Sequence, residues 1–202
     1  MRPHIVCLPG FLGDVRVFEP FRRLAHDRYE VHLMGLDEAP PPVHAHYLTG
    51  SFGGLVAAGL PPQRIRSLAM VGTLPDARLI PRAVRVQSRV LRRLPSPLLE
   101  PLYLHHSRRS LAADGVELDS RGLDAETLRR RLRFVLEHAF VFPDVPTLFL
   151  MGATDAQAPT SGQVLHHQPR AEVGHVPGGH RPYASHPGPL LTELERWWRS
   201  LG

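Results

Sequence analysis

Short apolar runs alternate along this chain with longer stretches in which apolar residues recur every three or four positions. The first run, Ile5-Val6-Cys7-Leu8, stops at Pro9-Gly10 and predicts a buried strand over residues 4–8 followed by a turn. Residues 15–27 carry Val17, Phe18, Phe21, Leu24 and Ala25 at helical spacing. A second strand is predicted over 29–36, a proline-rich loop over 37–42, and a third strand over 46–49. That strand runs into Gly50-Ser51-Phe52-Gly53-Gly54 and a helix over 55–60, which Pro61-Pro62 stops. Further strands are predicted over 65–71, 147–151 and 171–176, a short helix over 160–168, and a last helix over 190–199. Strands alternating with helices predict an α/β fold, a mainly parallel sheet with helices on both faces.

The texture changes between residues 78 and 142, where helical patterns dominate and arginines cluster. Over 81–94 the wheel places Ala83, Val84, Val86, Val90, Leu91 and Leu94 on one face, with Arg82, Arg85, Arg89, Arg92 and Arg93 opposite. Asp124 is placed to cap a helix with Leu128, Leu132, Val135, Leu136 and Ala139 on its inner stripe, and Arg129, Arg130, Arg131 and Arg133 mostly off it. The expected division is a core of residues 1–77 and 143–202, with 78–142 as a helical insertion.

The 202 residues suit one domain, and the formal net charge of +5 comes from arginine alone, because the chain has no lysine. Guanidinium groups suit carboxylates and phosphates, so the charge permits an anionic partner. No aromatic stacking pattern accompanies the arginines, which argues against nucleic acid. No apolar stretch is long enough for a membrane span, and the expected location is cytoplasmic. Cys7, alone of its kind, excludes an internal disulfide and is expected to be a buried, inert thiol. The pairs His44/His46, His105/His106 and His166/His167 have no carboxylate or cysteine to complete a metal site, so no metal is expected.

Four places carry candidate chemistry. Ser51 lies between a strand and a helix, on a sharp turn that needs small neighbours; Gly53 meets that need and Thr49 meets it less well. The Phe52 N–H, at the helix start, can bind a developing oxyanion, and the Phe11 N–H in Pro9-Gly10-Phe11-Leu12-Gly13 can supply a second donor. Asp155 follows the strand ending at Met151-Gly152, where a carboxylate can orient an imidazole. His180, in Pro177-Gly178-Gly179-His180, follows the last strand, where it can reach a serine proton.

The order Ser51, Asp155, His180 resembles that of the α/β-hydrolases, and the likeness covers nearly the whole chain. The resemblance implies catalysis by Ser51, Asp155 and His180, an oxyanion hole at Phe11 and Phe52, an elbow at Thr49 and Gly53, no cofactor, and a helical cap at 78–142. The chain departs from the family in three respects. It opens on the strand before the oxyanion loop, Pro9 replaces the usual histidine, and only about ten residues join Leu36 to His46 where a helix is usual. Ten extended residues span roughly 33 Å, enough to return one strand length (~17 Å) and cross two strand spacings (~10 Å). The missing helix is expected to leave one apolar sheet face thinly covered, to be closed by a second subunit, as in a homodimer, or by cap residues.

The leading functional expectation is a serine esterase acting on a small-molecule ester with a hydrophobic acyl group. A thioesterase acting on coenzyme A or an acyl carrier protein is the alternative raised by the arginine stripes. A non-catalytic interaction protein is the alternative raised by Thr49, Pro9 and the trimmed scaffold.

Overall fold

A computed structural model describes residues 2–112, 123–137 and 140–202. Six strands form one sheet in the order β2-β1-β3-β4-β5-β6: β1 (His4–Leu8), β2 (Glu30–Leu33), β3 (Ala45–Gly50), β4 (Ile65–Val71), β5 (Thr147–Gly152) and β6 (Glu172–Val176). Every neighbouring pair is parallel. The expected mainly parallel sheet is therefore wholly parallel, and its central strands β1, β3, β4 and β5 are mostly buried because both of their faces are covered.

Alternation along β1 assigns the two faces. Ile5 and Cys7 join Phe18, Phe21, Leu190, Leu194 and Trp197, which brings α1 (Glu19–Ala25) and α8 (Pro187–Ser200) onto one face. Val6 and Leu8 join Ala57 and Val164, which brings α2 (Phe52–Ala58) and α6 (Ser161–His167) onto the other. Burying each large apolar side chain of α8 contributes about 1.5–3 kcal/mol. Cys7 is fully buried, and burial pushes its thiol pKa up, as an inert core cysteine requires.

Between β2 and β3 there is indeed no helix. The link still closes the face at β1, because Met34 is buried there with Val6, Leu8 and Tyr47, and Val43 packs against them. This corrects the expectation of a thinly covered apolar face at these positions: Val6 and Leu8 are fully buried within one chain.

Among the described residues, three α-helices lie between β4 and β5: α3 (Arg82–Arg93), α4 (Ser96–Ala112) and α5 (Ala125–Glu137). Leu99, Leu104, Leu123 and Leu128 make a small core of their own, with Phe11, Leu12 and Tyr103 packed against it. Asp124 caps α5 as expected, accepting the Thr127 N–H at 2.7 Å. α3 buries no residue: Val86 and Val90 are more than half exposed, Val84 and Leu91 line a cavity, and Leu91 and Leu94 pack against the small core. One expectation needs correction. Arg131, expected off the inner stripe of α5, is buried beside Leu128 and Leu132. Ala139 lies outside the described residues, as does the side chain of His106. Among the described residues no helix is long and apolar enough to cross a membrane.

His46 occupies the other end of the sheet from the loops that follow the strands. It is buried against the Trp198 ring, with its Nδ1 2.7 Å from Ser67 Oγ. Burial, then the charges of Arg66 and His44, lower its pKa from 6.5 to about 4. Between those values the unfolded chain binds a proton at this position and the folded chain does not. Stability must therefore fall as pH drops from 6.5 to about 4. Urea unfolding across that window should show wild type losing stability more steeply than His46→Gln, by up to about 1.4 kcal/mol per pH unit. Parallel slopes in the two proteins would contradict a buried, neutral imidazole.

Candidate active site

The carboxyl ends of β1, β3, β4, β5 and β6 gather the residues singled out from the sequence. Ser51 follows β3 with φ 47° and ψ −112°, and no other non-glycine residue described has a positive φ. Its N–H donates to Val71 O at 2.7 Å, and its carbonyl accepts the Thr73 hydroxyl at 2.7 Å. The turn also needs its glycines. A Cβ on Gly53 would sit 2.4 Å from the Pro9 carbonyl oxygen, and one on Gly50 would sit 2.5 Å from the Tyr183 hydroxyl. Thr49, the less fitting elbow residue, is accommodated: it is fully buried and its hydroxyl donates to Ala69 O on β4 at 3.3 Å.

Asp155 and His180 meet across the β5 and β6 loops, with Asp155 Oδ2 2.8 Å from His180 Nδ1. The other carboxylate oxygen accepts the Gln157 N–H at 2.9 Å. The two loops are tied by Ala153 N–H to Val176 O at 2.8 Å and Thr154 N–H to Gly178 O at 3.0 Å. Their approach leaves no room for a side chain at Gly152, whose Cβ would fall 1.9 Å from Gly179 O. Only 3% of the Asp155 side chain is exposed. Burial raises its pKa, but the hydrogen bond and charge of His180, the Gln157 N–H and the charge of Arg181 outweigh that and hold it below the usual carboxylate value. An ionised carboxylate at this atom fixes Nδ1 as the N–H nitrogen and leaves Nε2 to accept a proton.

Ser51 and His180 line one cavity of about 510 Å³. Its walls are largely apolar and come from both layers, with Phe11 and Leu55 from the core and Val84, Leu91, Tyr103 and Leu132 from the helical insertion. Phe11 and Phe52, which line the cavity with Ser51, meet edge to face with ring centroids 5.5 Å apart.

Several residues that shape the site escaped the sequence reading. Thr73 braces the Ser51 carbonyl. Gly72, at φ 61° just past β4, makes room for His180, since a Cβ there would lie 2.8 Å from its Cε1; a glycine closing an apolar run was the available signal. Arg131 reaches from α5 to the loop after β1. Its guanidinium donates to Phe11 O at 2.6 Å, pairs with Asp37 at 3.2 Å, and packs where Gly13, at φ 79°, has no side chain.

The all-parallel sheet with helices on both faces has counterparts among solved structures. NosK from Streptomyces actuosus superposes with a TM-score of 0.64 at 21% identity, over 99% of each chain. A thermophilic esterase from Thermogutta terrifontis gives 0.70 at 17%, over 98% of this chain and 90% of that one. The thioesterase domain from the curacin biosynthetic pathway gives 0.59 at 14%, over 96% and 91%. The chain has the α/β-hydrolase fold. No protein-family model matches it, and no curated protein does. At these identities the likeness is one of fold, and the chemistry must be argued from this hydrolase fold's own residues.

The elbow can be tested by its glycines. Gly53→Ala forces a Cβ onto backbone oxygen and should cost about 1–3 kcal/mol in urea unfolding. Gly162→Ala, in α6, meets nothing within 4 Å and should instead stabilise by about 0.4–1 kcal/mol. Equal effects of the two substitutions would contradict the close packing of the turn on Pro9.

Proposed function

We propose that the protein is a serine hydrolase cleaving carboxylic esters of small hydrophobic acyl groups. One observation carries this reading: Ser51 on its strained turn and the Asp155-bound His180 line the same apolar-walled cavity. Ser51 Oγ attacks the ester carbonyl carbon while its proton passes to His180 Nε2. The carbonyl oxygen gains the negative charge and is met by the N–H groups of Phe11 and Phe52. Collapse of this intermediate expels the alcohol, which takes the proton from His180, and leaves the acyl group on Ser51. Water then attacks the acyl carbon while His180 accepts its proton; the second intermediate collapses, the Ser51 oxygen takes that proton back from His180, and the acid leaves. Asp155 stabilises the imidazolium in both halves. The apolar walls favour the acyl chain over a charged group, and the reaction needs no cofactor.

A second reading has a specific observation behind it. Val84 and Leu91 of α3 line the cavity, while Arg82, Arg89 and Arg93 of the same helix face solvent. Such a helix suits an acyl thioester presented by an acidic carrier protein, in the cytoplasm or elsewhere.

Hydrolysis of p-nitrophenyl esters of graded chain length separates these readings from a non-catalytic role. Ester cleavage should peak at a short or medium chain and fall at least about ten-thousand-fold in Ser51→Ala. Turnover confined to carrier-bound thioesters, and weakened by added salt, would favour the second reading. Rates equal to those of Ser51→Ala on every substrate would contradict catalysis.

A further inference from the structure

His4, Glu30 and His32 come together at the far edge of the sheet, outside the site already described. In the parallel ladder His4 pairs with Glu30 and Val6 with His32, so His4, Glu30 and His32 share the face that Val6 occupies. Val31 and Leu33 take the opposite face, packing against the α1 and α8 layer. No helix lies between β2 and β3 to cover this edge, and the three side chains stay partly exposed at 26%, 52% and 31%.

Their donor atoms converge. His4 Nδ1 lies 3.0 Å from His32 Nε2. His4 Nδ1 lies 3.5 Å from Glu30 Oε2, and His32 Nε2 lies 3.7 Å from Glu30 Oε1. A hydrogen bond accounts for the first distance only, because the two carboxylate contacts are longer than a hydrogen bond requires. A shared ion accounts for all three. Metal–ligand bonds of about 2.0–2.2 Å in tetrahedral geometry set the donors roughly 3.3–3.5 Å apart. The observed separations bracket that edge.

We propose that His4 Nδ1, His32 Nε2 and the Glu30 carboxylate bind one divalent transition-metal ion of the zinc class. Two imidazoles and one carboxylate suit zinc and its d-block neighbours, whereas magnesium and calcium prefer all-oxygen shells. The ring that now donates in the His4–His32 contact switches its proton to its other nitrogen, so both rings offer a lone pair to the ion. The fourth position faces solvent. The role is structural. β2 has four residues, lies at the sheet edge and pairs with β1 alone, so the ion clamps the strand that holds on most weakly. The cluster lies at the amino end of β1, some four residues or about 13 Å along the strand from the end that faces the Ser51 turn.

Titration calorimetry of the metal-stripped full chain with zinc chloride, and with magnesium chloride as the control, tests this. Zinc should bind with a stoichiometry of one and raise the thermal midpoint, and magnesium should do neither. His32→Ala should weaken zinc binding by more than about 100-fold and abolish the thermal shift, a larger loss than removal of an outer partner brings. Glu30→Gln keeps the shape of the strand and should weaken binding at least tenfold, which guards against misfolding of the first variant. Absence of zinc binding overturns the proposal. So does equal zinc affinity in wild type and both variants, which would assign the ion to other histidines.

Discussion

Ser51 holds φ 47° and ψ −112°, a conformation that costs a non-glycine residue on the order of 1–3 kcal/mol, and the surrounding chain is built to keep it there. The Val71 carbonyl takes its N–H, and the Thr73 hydroxyl and the Gly54 N–H take its carbonyl. Gly50 and Gly53 let Tyr183 and the Pro9 carbonyl approach to distances that no side chain would permit. These contacts come from β1, β4 and the loop after β6. Strain at one residue after β3 is in this way offset by packing from the ends of three other strands.

The helical insertion is tied to the same end of the sheet. Arg131 leaves α5, binds the Phe11 carbonyl and pairs with Asp37 in the helixless link between β2 and β3. Burial lowers its pKa and the charge of Asp37 works against that, so the guanidinium is held among partners despite having little solvent. One side chain thus joins the roof, the loop after β1 and the helixless link. The roof can then stay thin: α3 buries no residue and still walls the cavity through Val84 and Leu91.

The sheet was legible because β1, β4 and β5 are apolar runs with a turn residue near the end, and because short extended segments alternate with helical ones. The runs at 4–8 and 65–71 match β1 and β4 residue for residue. Ser51, Asp155 and His180 were legible for the same reason, each following one of these extended segments by a few residues. The remainder depended on neighbours that no local pattern contains. Arg131 reads as a solvent-facing charge beside the Leu128–Leu132 stripe until Phe11 O and Asp37 are set against it. Periodicity gave α3 an apolar face and an arginine face, but not that Val84 would line a cavity while Val86 and Val90 stay exposed. His4 and His32 are far apart in sequence, and only the β1–β2 register brings them together. Adjacent histidine pairs were the visible pattern; the one cluster of metal-ligand type among the described residues is formed by strand pairing instead.

The central claim is that Ser51 is a nucleophile activated by His180, and covalent capture tests it most directly. Intact-mass analysis after treatment with a small alkyl fluorophosphonate should show one adduct per chain, mapped by peptide sequencing to Ser51. The adduct should be absent in Ser51→Ala and should form at least about a hundredfold more slowly in His180→Ala. An unmodified wild-type chain, or an adduct that forms equally fast without His180, would contradict it.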